Sequence, residues 1–141
     1  MKSFRLDVEY DYDFDLYGVV SSSKEHTLAW ALNKYFRIRL IKQADLCIDF
    51  LNKGRLVISN YLHRAEHGTF RLFRNRSVGV STLASPFLVP DIKEYDYVIQ
   101  VTGGLNQFQQ GLLKTLNAVP LVQYVRPFDP QSLRYKENLL F

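Results

Sequence analysis

Residues 87–107, "FLVPDIKEYDYVIQVTGGLNQ", contain the transition from a loop to a strand and then to a helix. Pro90 cannot donate a backbone hydrogen bond and disfavours helical geometry at Val89, so it marks where a loop ends. The side chains that follow alternate between two faces, which predicts a strand. One face holds Tyr97, Ile99 and Val101, and the other holds Asp96, Val98 and Gln100. A Gly-Gly pair at 103–104 then predicts a turn into an amphipathic helix.

The first part of the chain predicts another strand and another helix. Apolar and polar residues alternate from Phe4 to Tyr10, as in a strand with one solvated face, and a turn or bulge is expected near residues 11–13. Residues 21–36, "SSSKEHTLAWALNKYF", predict a helix with Ser22 as its N-cap and Glu25 at the capping-box position. The core face of this helix is predicted to hold Leu28, Ala31, Leu32, Tyr35 and Phe36.

Short strands are predicted between these two regions and after them. "RIRLIK", "LCIDFL", "RLVISNYLHR" and "TFRLFRNR" between residues 37 and 76 predict an antiparallel meander. Leu105, Phe108, Leu112, Leu116 and Val119 line one side of the second helix, which Pro120 ends. Residues 121–125 predict a last strand, and Asp129 followed by Pro130 predicts a short helix over residues 130–138.

This order of elements predicts one α+β domain over residues 1–141. We expect a mixed or largely antiparallel sheet with the two main helices packed on one face. An elaborated ferredoxin-like topology fits the order.

Composition excludes several classes of protein. The chain has 141 residues, of which 47% are hydrophobic, which is enough for one buried core. No apolar run reaches the roughly 18 residues of a membrane span, and no signal segment is recognised. Cys47 is the only cysteine, which excludes an internal disulfide and favours a reducing compartment. We therefore expect a cytoplasmic protein without membrane contact, and we expect no cofactor.

Two patterns that resemble metal sites lack essential residues. The spacing of Asp11, Asp13 and Asp15 is that of an EF-hand loop, but Leu16 and Ser22 stand where the loop needs Gly and Glu. His63 and His67 are separated by a predicted turn rather than joined by a helix. We expect no metal site.

The carboxylates around Pro90 allow two interpretations. Asp91, Glu94 and Asp96 could form a cluster for metal binding or acid–base chemistry. Alternatively, Asp91 caps the turn at residues 92–94 and Asp96 accepts hydrogen bonds from loop backbone donors. The second interpretation is favoured, because no nucleophile–base pair lies nearby in the sequence.

The same segment resembles the signature of the IPExxxVDY family of small bacterial proteins. The signature here reads Val89-Pro90-Asp91, three residues, then Tyr95-Asp96-Tyr97. Pro90, Asp96, Tyr97 and the spacing match, Val89 and Asp91 are conservative departures, and Tyr95 replaces a valine. "FDLYGVVSSSKEHTLAWALN" and the closing "ENLLF" are also similar to the family. No activity is established for the family, so the resemblance supports the predicted fold and single domain without implying a function.

Positive charge is concentrated in the middle of the chain. Residues 34–76 carry ten Lys or Arg against three Asp or Glu, whereas residues 1–25 carry three against six. Arg71, Arg74 and Arg76 interleave with aromatic residues, a mixture found on sheets that bind RNA. A solvated sheet face produces the same pattern more often. Nucleic-acid binding through these three arginines is therefore an alternative hypothesis.

Trp30 is placed on what should be the polar face of the first helix. With Leu28 directed to the core, Trp30 lies about 200° round the helix, grouped with His26, Asn33 and Arg37. Later segments of the same chain, a second subunit or a small-molecule pocket are the three candidate partners for its indole. Trp and Arg are favoured in subunit contacts, so His26, Trp30, Asn33 and Arg37 form a candidate interface.

The leading functional hypothesis is a non-enzymatic interaction or regulatory protein that acts as a homodimer. An unidentified protein partner is also possible on this hypothesis. A small enzyme using Asp91, Asp96 and His26 is the alternative from another class, and it requires these groups to converge.

Overall fold

The structure is a computed structural model that describes residues 14–50, 54–66, 68–79, 83, 85–103, 109–134 and 136–139. This part of the chain contains eight strands and two α-helices. The strands are β1 (Phe14–Val20), β2 (Ile41–Lys42), β3 (Leu46–Phe50), β4 (Gly54–Ile58), β5 (Asn60–Arg64), β6 (Gly68–Arg74), β7 (Tyr97–Gly103) and β8 (Tyr124–Phe128). The helices are α1 (Glu25–Phe36) and α2 (Gln109–Ala118). The predicted strand at residues 4–10, the predicted bulge at 11–13, His67, Leu105 and Phe108 lie outside the described residues.

Six strands form one sheet in the order β2-β5-β6-β7-β1-β8, and every neighbouring pair is antiparallel. Helix α1 follows β1, and α2 lies between β7 and β8 in the chain. The strands β8-β1-β7-β6 and the two helices form the interleaved βαβ units of a ferredoxin-like arrangement. Strands β2 to β5 are inserted between α1 and β6. The predicted α+β class, with a largely antiparallel sheet, is confirmed.

One face of the sheet is covered by both helices, as predicted. Leu28, Ala31 and Leu32 of α1 and Leu112, Leu116 and Val119 of α2 are buried in one core. The sheet contributes Tyr17, Val19, Phe70, Leu72, Tyr97, Ile99 and Val101 to the same core. Burial of each large apolar side chain contributes about 1.5–3 kcal/mol, which makes this helix–sheet contact a main source of stability.

The opposite face is covered by the β3–β4 hairpin and by the C-terminal segment. Strands β3 and β4 pair only with each other in the described chain, and Leu56 and Ile58 of β4 pack against Phe73 and Val98 of the large sheet. Gln100 is also buried on this face, where its Nε2 donates to the carbonyl of Leu139 at 2.9 Å. Both faces of the central strands are therefore buried.

The predicted meander is wrong at residue 59. "RLVISNYLHR" forms two strands rather than one, because β4 and β5 belong to different sheets. Ser59 lies between them, and its carbonyl accepts from the backbone N–H of Arg74 at 3.0 Å. The chain changes sheet at this residue, which carries the β3–β4 hairpin onto the second face.

Several predicted boundaries also need correction. The N-cap of α1 is Lys24, whose side chain makes no capping hydrogen bond, and Tyr35 is 41% exposed rather than in the core. Only Ile41–Lys42 of "RIRLIK" is a strand, and the last strand begins at Tyr124. The C-terminal segment forms two short 3-10 turns, Pro130–Ser132 and Lys136–Leu139, instead of one helix. Asp129 is the predicted N-cap, since its side chain accepts from the N–H of Gln131 at 3.0 Å.

The two edges of the large sheet differ from its central strands. β2, at one edge, is two residues long. β8, at the other edge, contains Pro127, which lies opposite Tyr17 of β1.

Candidate functional site

A cleft of about 650 Å³ opens at one end of the large sheet. It is lined by residues 21–26, Arg74, Arg76, Phe87, Lys93 and residues 95–97. These residues come from the loop between β1 and α1, the start of α1, the end of β6 and the residues after it, and the segment that leads into and begins β7. The antiparallel pairing of β6 with β7 places Arg74 opposite Tyr97, so the strand register itself brings these segments together.

The serine loop that forms one wall is fixed by hydrogen bonds from distant parts of the chain. The N–H of Ser21 donates to Asp96 Oδ2 at 2.9 Å, and its hydroxyl donates to the carbonyl of Leu121 at 2.7 Å. The hydroxyl of Tyr97 donates to the carbonyl of Ser23 at 2.5 Å. The loop therefore has a defined position beside the first turn of α1.

Tyr97 keeps its proton at neutral pH and can serve as a permanent donor. Burial raises the pKa of Tyr97 to about 12, and the negative charge of Glu25 acts in the same direction. Glu25 itself accepts a hydrogen bond from the hydroxyl of Ser59 at 2.5 Å.

The opposite wall depends on a buried asparagine behind it. Asn75 is fully buried, and its Nδ2 donates to the carbonyls of Ile92 and Tyr95, each at 3.1 Å. Its Oδ1 accepts from the N–H of Val89 at 2.9 Å. Asn75 thus holds the segment that carries Lys93 and Tyr95 against the end of β6.

Four cationic side chains line the cleft, and none has a carboxylate partner among the described residues. They are Lys24, Arg74, Arg76 and Lys93. Arg76 lies over the ring of Phe87, with 5.6 Å between the guanidinium carbon and the ring centroid. The two carboxylates of the cleft, Glu25 and Asp96, accept hydrogen bonds from a serine hydroxyl and a backbone N–H. The formal charge of the lining is therefore +2 with His26 neutral.

The structure separates the residues of the signature-like segment. Tyr95, Asp96 and Tyr97 line the cleft, whereas Val89 is buried in the second core and Pro90 begins a 3-10 turn, Pro90–Ile92. The predicted role of Asp96 as an acceptor for loop backbone donors is confirmed by its bond from Ser21. The predicted role of Asp91 as a cap of its own turn is wrong, because its Oδ2 accepts from the N–H of Arg134 at 2.7 Å.

The three groups proposed for acid–base chemistry divide between two places. His26 and Asp96 both line the cleft, but Asp91 does not. Any acid–base chemistry in the cleft would therefore have to do without Asp91.

The three arginines of the candidate basic surface do not share one strand face. Arg74 and Arg76 line the cleft. Arg71 lies on the opposite face of β6 from Arg74, and it pairs with Gln100, which is buried on the second face of the sheet. Burial lowers the pKa of Arg71, and the positive charge of Arg64 acts in the same direction. The positive charge of β6 is therefore divided between two surfaces.

Trp30 points outward and is 64% exposed. Lys34 lies over its indole, with 5.5 Å from Nζ to the ring centroid. Two other members of the candidate interface also shape the end of α1. Asn33 Oδ1 accepts from the N–H of Leu40 at 2.7 Å, and Arg37 adopts the left-handed conformation with φ of 55°.

Several cleft residues were not singled out from the sequence. Ser21, Ser23, Lys93 and Phe87 are among them, and so is Asn75 behind the wall. The one local signal is the run of three serines and a lysine directly before a helix, where free backbone N–H groups occur.

Comparison of the chain with protein-family models, with curated proteins and with solved structures gives no match. Among the described residues, no three His, Cys, Asp or Glu side chains are placed to hold a metal ion. No helix in this part of the chain is long and apolar enough to cross a membrane.

Proposed function

We propose that the protein is a non-enzymatic binding protein that holds a small anionic ligand in the cleft. The observation that carries this proposal is the set of four lining cations without carboxylate partners among the described residues. Like charges that line one cleft repel one another, so a bound anion stabilises them. The cleft volume of about 650 Å³ lies within the range of small-molecule sites.

The hydrogen bonds of two polar groups in the cleft support binding rather than a reaction. The carboxylate of Asp96 is occupied by the N–H of Ser21, and the hydroxyl of Tyr97 by the carbonyl of Ser23. These two groups build the wall instead of facing a reacting atom.

An NMR titration of the ¹⁵N-labelled chain with inorganic phosphate, malonate and citrate tests this function. We expect amide signals of residues 21–26, 74–76 and 93–97 to shift together, with dissociation constants in the millimolar range or tighter. The Lys93→Gln variant should show smaller shifts than the wild type. Lys34→Gln is the control, since it also removes one positive charge, but from a residue that does not line the cleft. No shift at about 10 mM of any of the three anions refutes the proposal.

Self-association is a second candidate function. The observation that favours it is the 64% exposure of Trp30 on the outer face of α1, where a second subunit would remove the indole from water. In this proposal the interface consists of His26, Trp30, Asn33 and Arg37, and the protein is a homodimer. Sedimentation equilibrium tests it.

Arg71 lies on a different surface from Arg74 and Arg76, and this placement gives nucleic-acid binding no support. Nucleic-acid binding predicts an affinity for oligonucleotides that falls steeply with salt. Fluorescence anisotropy at low salt tests it, and no binding at micromolar protein would rule it out.

Membership of the IPExxxVDY family, a bacterial source and a cytoplasmic location remain proposals. The spacing of Pro90, Asp96 and Tyr97 supports the first two. The free thiol of Cys47, which is exposed, supports a reducing cytoplasm.

A further inference from the structure

We infer that the ligand of the cleft is a small organic molecule that carries a phosphate monoester. This inference rests on the proposed function, and it adds the charge, the shape and the organic part of the ligand.

The charge of the lining matches a dianion. Four cations and two carboxylates leave a formal charge of +2 with His26 neutral. Both carboxylates already accept hydrogen bonds from protein donors, Glu25 from Ser59 and Asp96 from Ser21. A phosphate monoester carries between 1.5 and 2 negative charges at about pH 7, whereas a phosphate diester carries only one.

The donors of the cleft come from three segments of the chain, which suits a group with three terminal oxygens. Lys24 and the hydroxyls of Ser22 and Ser23 belong to the loop before α1. Arg74 is the last residue of β6, Arg76 follows it by two residues, and Lys93 belongs to the segment before β7. A planar carboxylate accepts from directions near one plane, whereas the three oxygens of a phosphate accept from three sides.

The start of α1 adds backbone donors to the same cleft. No side chain caps this helix, and the first residues of α1, Glu25 and His26, line the cleft. The first N–H groups of a helix lack intrahelical acceptors and favour negative charge. This contribution supplements the cationic side chains, on which the inference stands.

The size and the aromatic lining of the cleft indicate an organic part. A volume of about 650 Å³ is that of a site for a small molecule rather than for a single phosphate ion. Phe87, which is half-buried, contributes aromatic surface beside the cations, whereas Tyr95 and Tyr97 are buried behind the lining. An apolar part of the ligand can lie beside the ring of Phe87 while the phosphate meets the charged side chains.

Isothermal titration calorimetry at about pH 7.5 with four probes tests the inference, because the monoester is almost fully doubly charged there. The probes are phenyl phosphate, methyl phenyl phosphate, phthalate and inorganic phosphate. Methyl phenyl phosphate keeps the ring and loses one charge, phthalate replaces the phosphate with two carboxylates, and inorganic phosphate lacks the ring. We expect phenyl phosphate to bind at least about tenfold more tightly than each of the other three.

Variants locate the binding. Arg74→Gln and Lys93→Gln should each weaken phenyl phosphate binding about tenfold, and Lys34→Gln should change it by less than about twofold. Lys93 is exposed, so its variant keeps the test valid if the half-buried Arg74 proves necessary for folding. Arg74→Lys, which keeps the charge but not the planar fork, should give an intermediate affinity.

The outcomes separate this inference from the proposed function. If phthalate or methyl phenyl phosphate binds as tightly as phenyl phosphate, the inference is wrong and a general anion site remains. Equal binding of inorganic phosphate refutes the organic part of the ligand. If none of the four anions binds, or if both cleft variants bind phenyl phosphate as wild type does, the proposed function fails together with the inference.

Discussion

The side chain of Asn75 joins the backbone of Val89 by two hydrogen bonds. Oδ1 of Asn75 accepts from the N–H of Val89 at 2.9 Å, and Nδ2 donates to the carbonyl of Val89 at 3.5 Å. The same Nδ2 also bonds the carbonyls of Ile92 and Tyr95. One buried amide therefore organises the whole turn that precedes β7.

Replacement of Asn75 by Ala should lower the free energy of unfolding by about 3 kcal/mol or more, because buried backbone groups lose their partners. Asn117→Ala is the matched control, since its amide bonds the carbonyl of Leu113 on the exposed side of α2. The control should change stability by less than about 0.5 kcal/mol. Urea unfolding measures both, and equal effects of the two substitutions would contradict this role of Asn75.

Two glycines should respond to alanine with opposite signs. A Cβ at Gly18 would lie 2.8 Å from atoms of Tyr95 and of Phe128, whereas one at Gly111 would meet nothing within 4 Å. Gly18→Ala should therefore destabilise the chain by about 1–3 kcal/mol through overpacking. Gly111→Ala should stabilise it by about 0.4–1 kcal/mol, because alanine favours the helix and restricts the unfolded chain. Thermal and urea unfolding check the signs, and a neutral Gly18→Ala would show that the rings can move aside.

Trp30→Ala should weaken a homodimer at least about tenfold, which corresponds to an aromatic contact of roughly 2 kcal/mol at an interface. Tyr35→Ala is the control, because Tyr35 is 41% exposed on the same helix but lies about 140° away from Trp30. Sedimentation equilibrium of the wild type and both variants gives the constants. A wild type that is monomeric at tens of micromolar refutes the dimer, and an unchanged constant in Trp30→Ala removes this residue from its interface.

The buried hydroxyl of Tyr97 should make stability fall at alkaline pH. Its pKa of about 12 in the folded chain lies above the ordinary value of 10.0, so the folded state holds the proton more tightly. The stability that this provides is complete below pH 10 and is lost as the pH rises towards 12. By about pH 11 the loss should reach about 1.4 kcal/mol.

Tyr97→Phe should unfold with a smaller loss of stability between about pH 9 and pH 11 than the wild type does. Burial also raises the pKa of Tyr17 and of Tyr61, so these residues contribute to the loss of stability in both proteins. The difference in that loss between wild type and Tyr97→Phe measures the contribution of Tyr97. Tyr124→Phe, at a position 53% exposed, should behave as the wild type. Identical pH dependence in Tyr97→Phe and wild type would show that burial does not hold this proton.

Local periodicity predicted the elements of the fold but not their ends. The alternation of Ile99 and Val98 placed them on opposite faces of β7, and both faces proved to be covered. The cap of α1 was misplaced because the serine run bonds to other parts of the chain, and Lys24 is the N-cap. Ser21 instead donates to Leu121, which is 100 residues away in the chain, and no local pattern contains that contact.

The cleft could not be predicted because strand pairing assembles it. Arg74 and Tyr97 were each noted in the sequence for different reasons, and only the register of β6 with β7 places them opposite each other. The change of sheet at Ser59 was equally hidden, since "RLVISNYLHR" contains no Gly or Pro to mark a break between two strands. The outward direction of Trp30 was predicted because it depends on helix geometry alone.

The two edge strands of the large sheet influence how the protein behaves at high concentration. An open sheet can recruit a strand from another molecule wherever a long row of backbone donors and acceptors is unpaired. In the part of the chain that the structure describes, β2 offers only two residues for such pairing, and Pro127, the fourth of the five residues of β8, has no backbone donor. Edge-to-edge growth of the sheet into fibres is therefore obstructed at both edges.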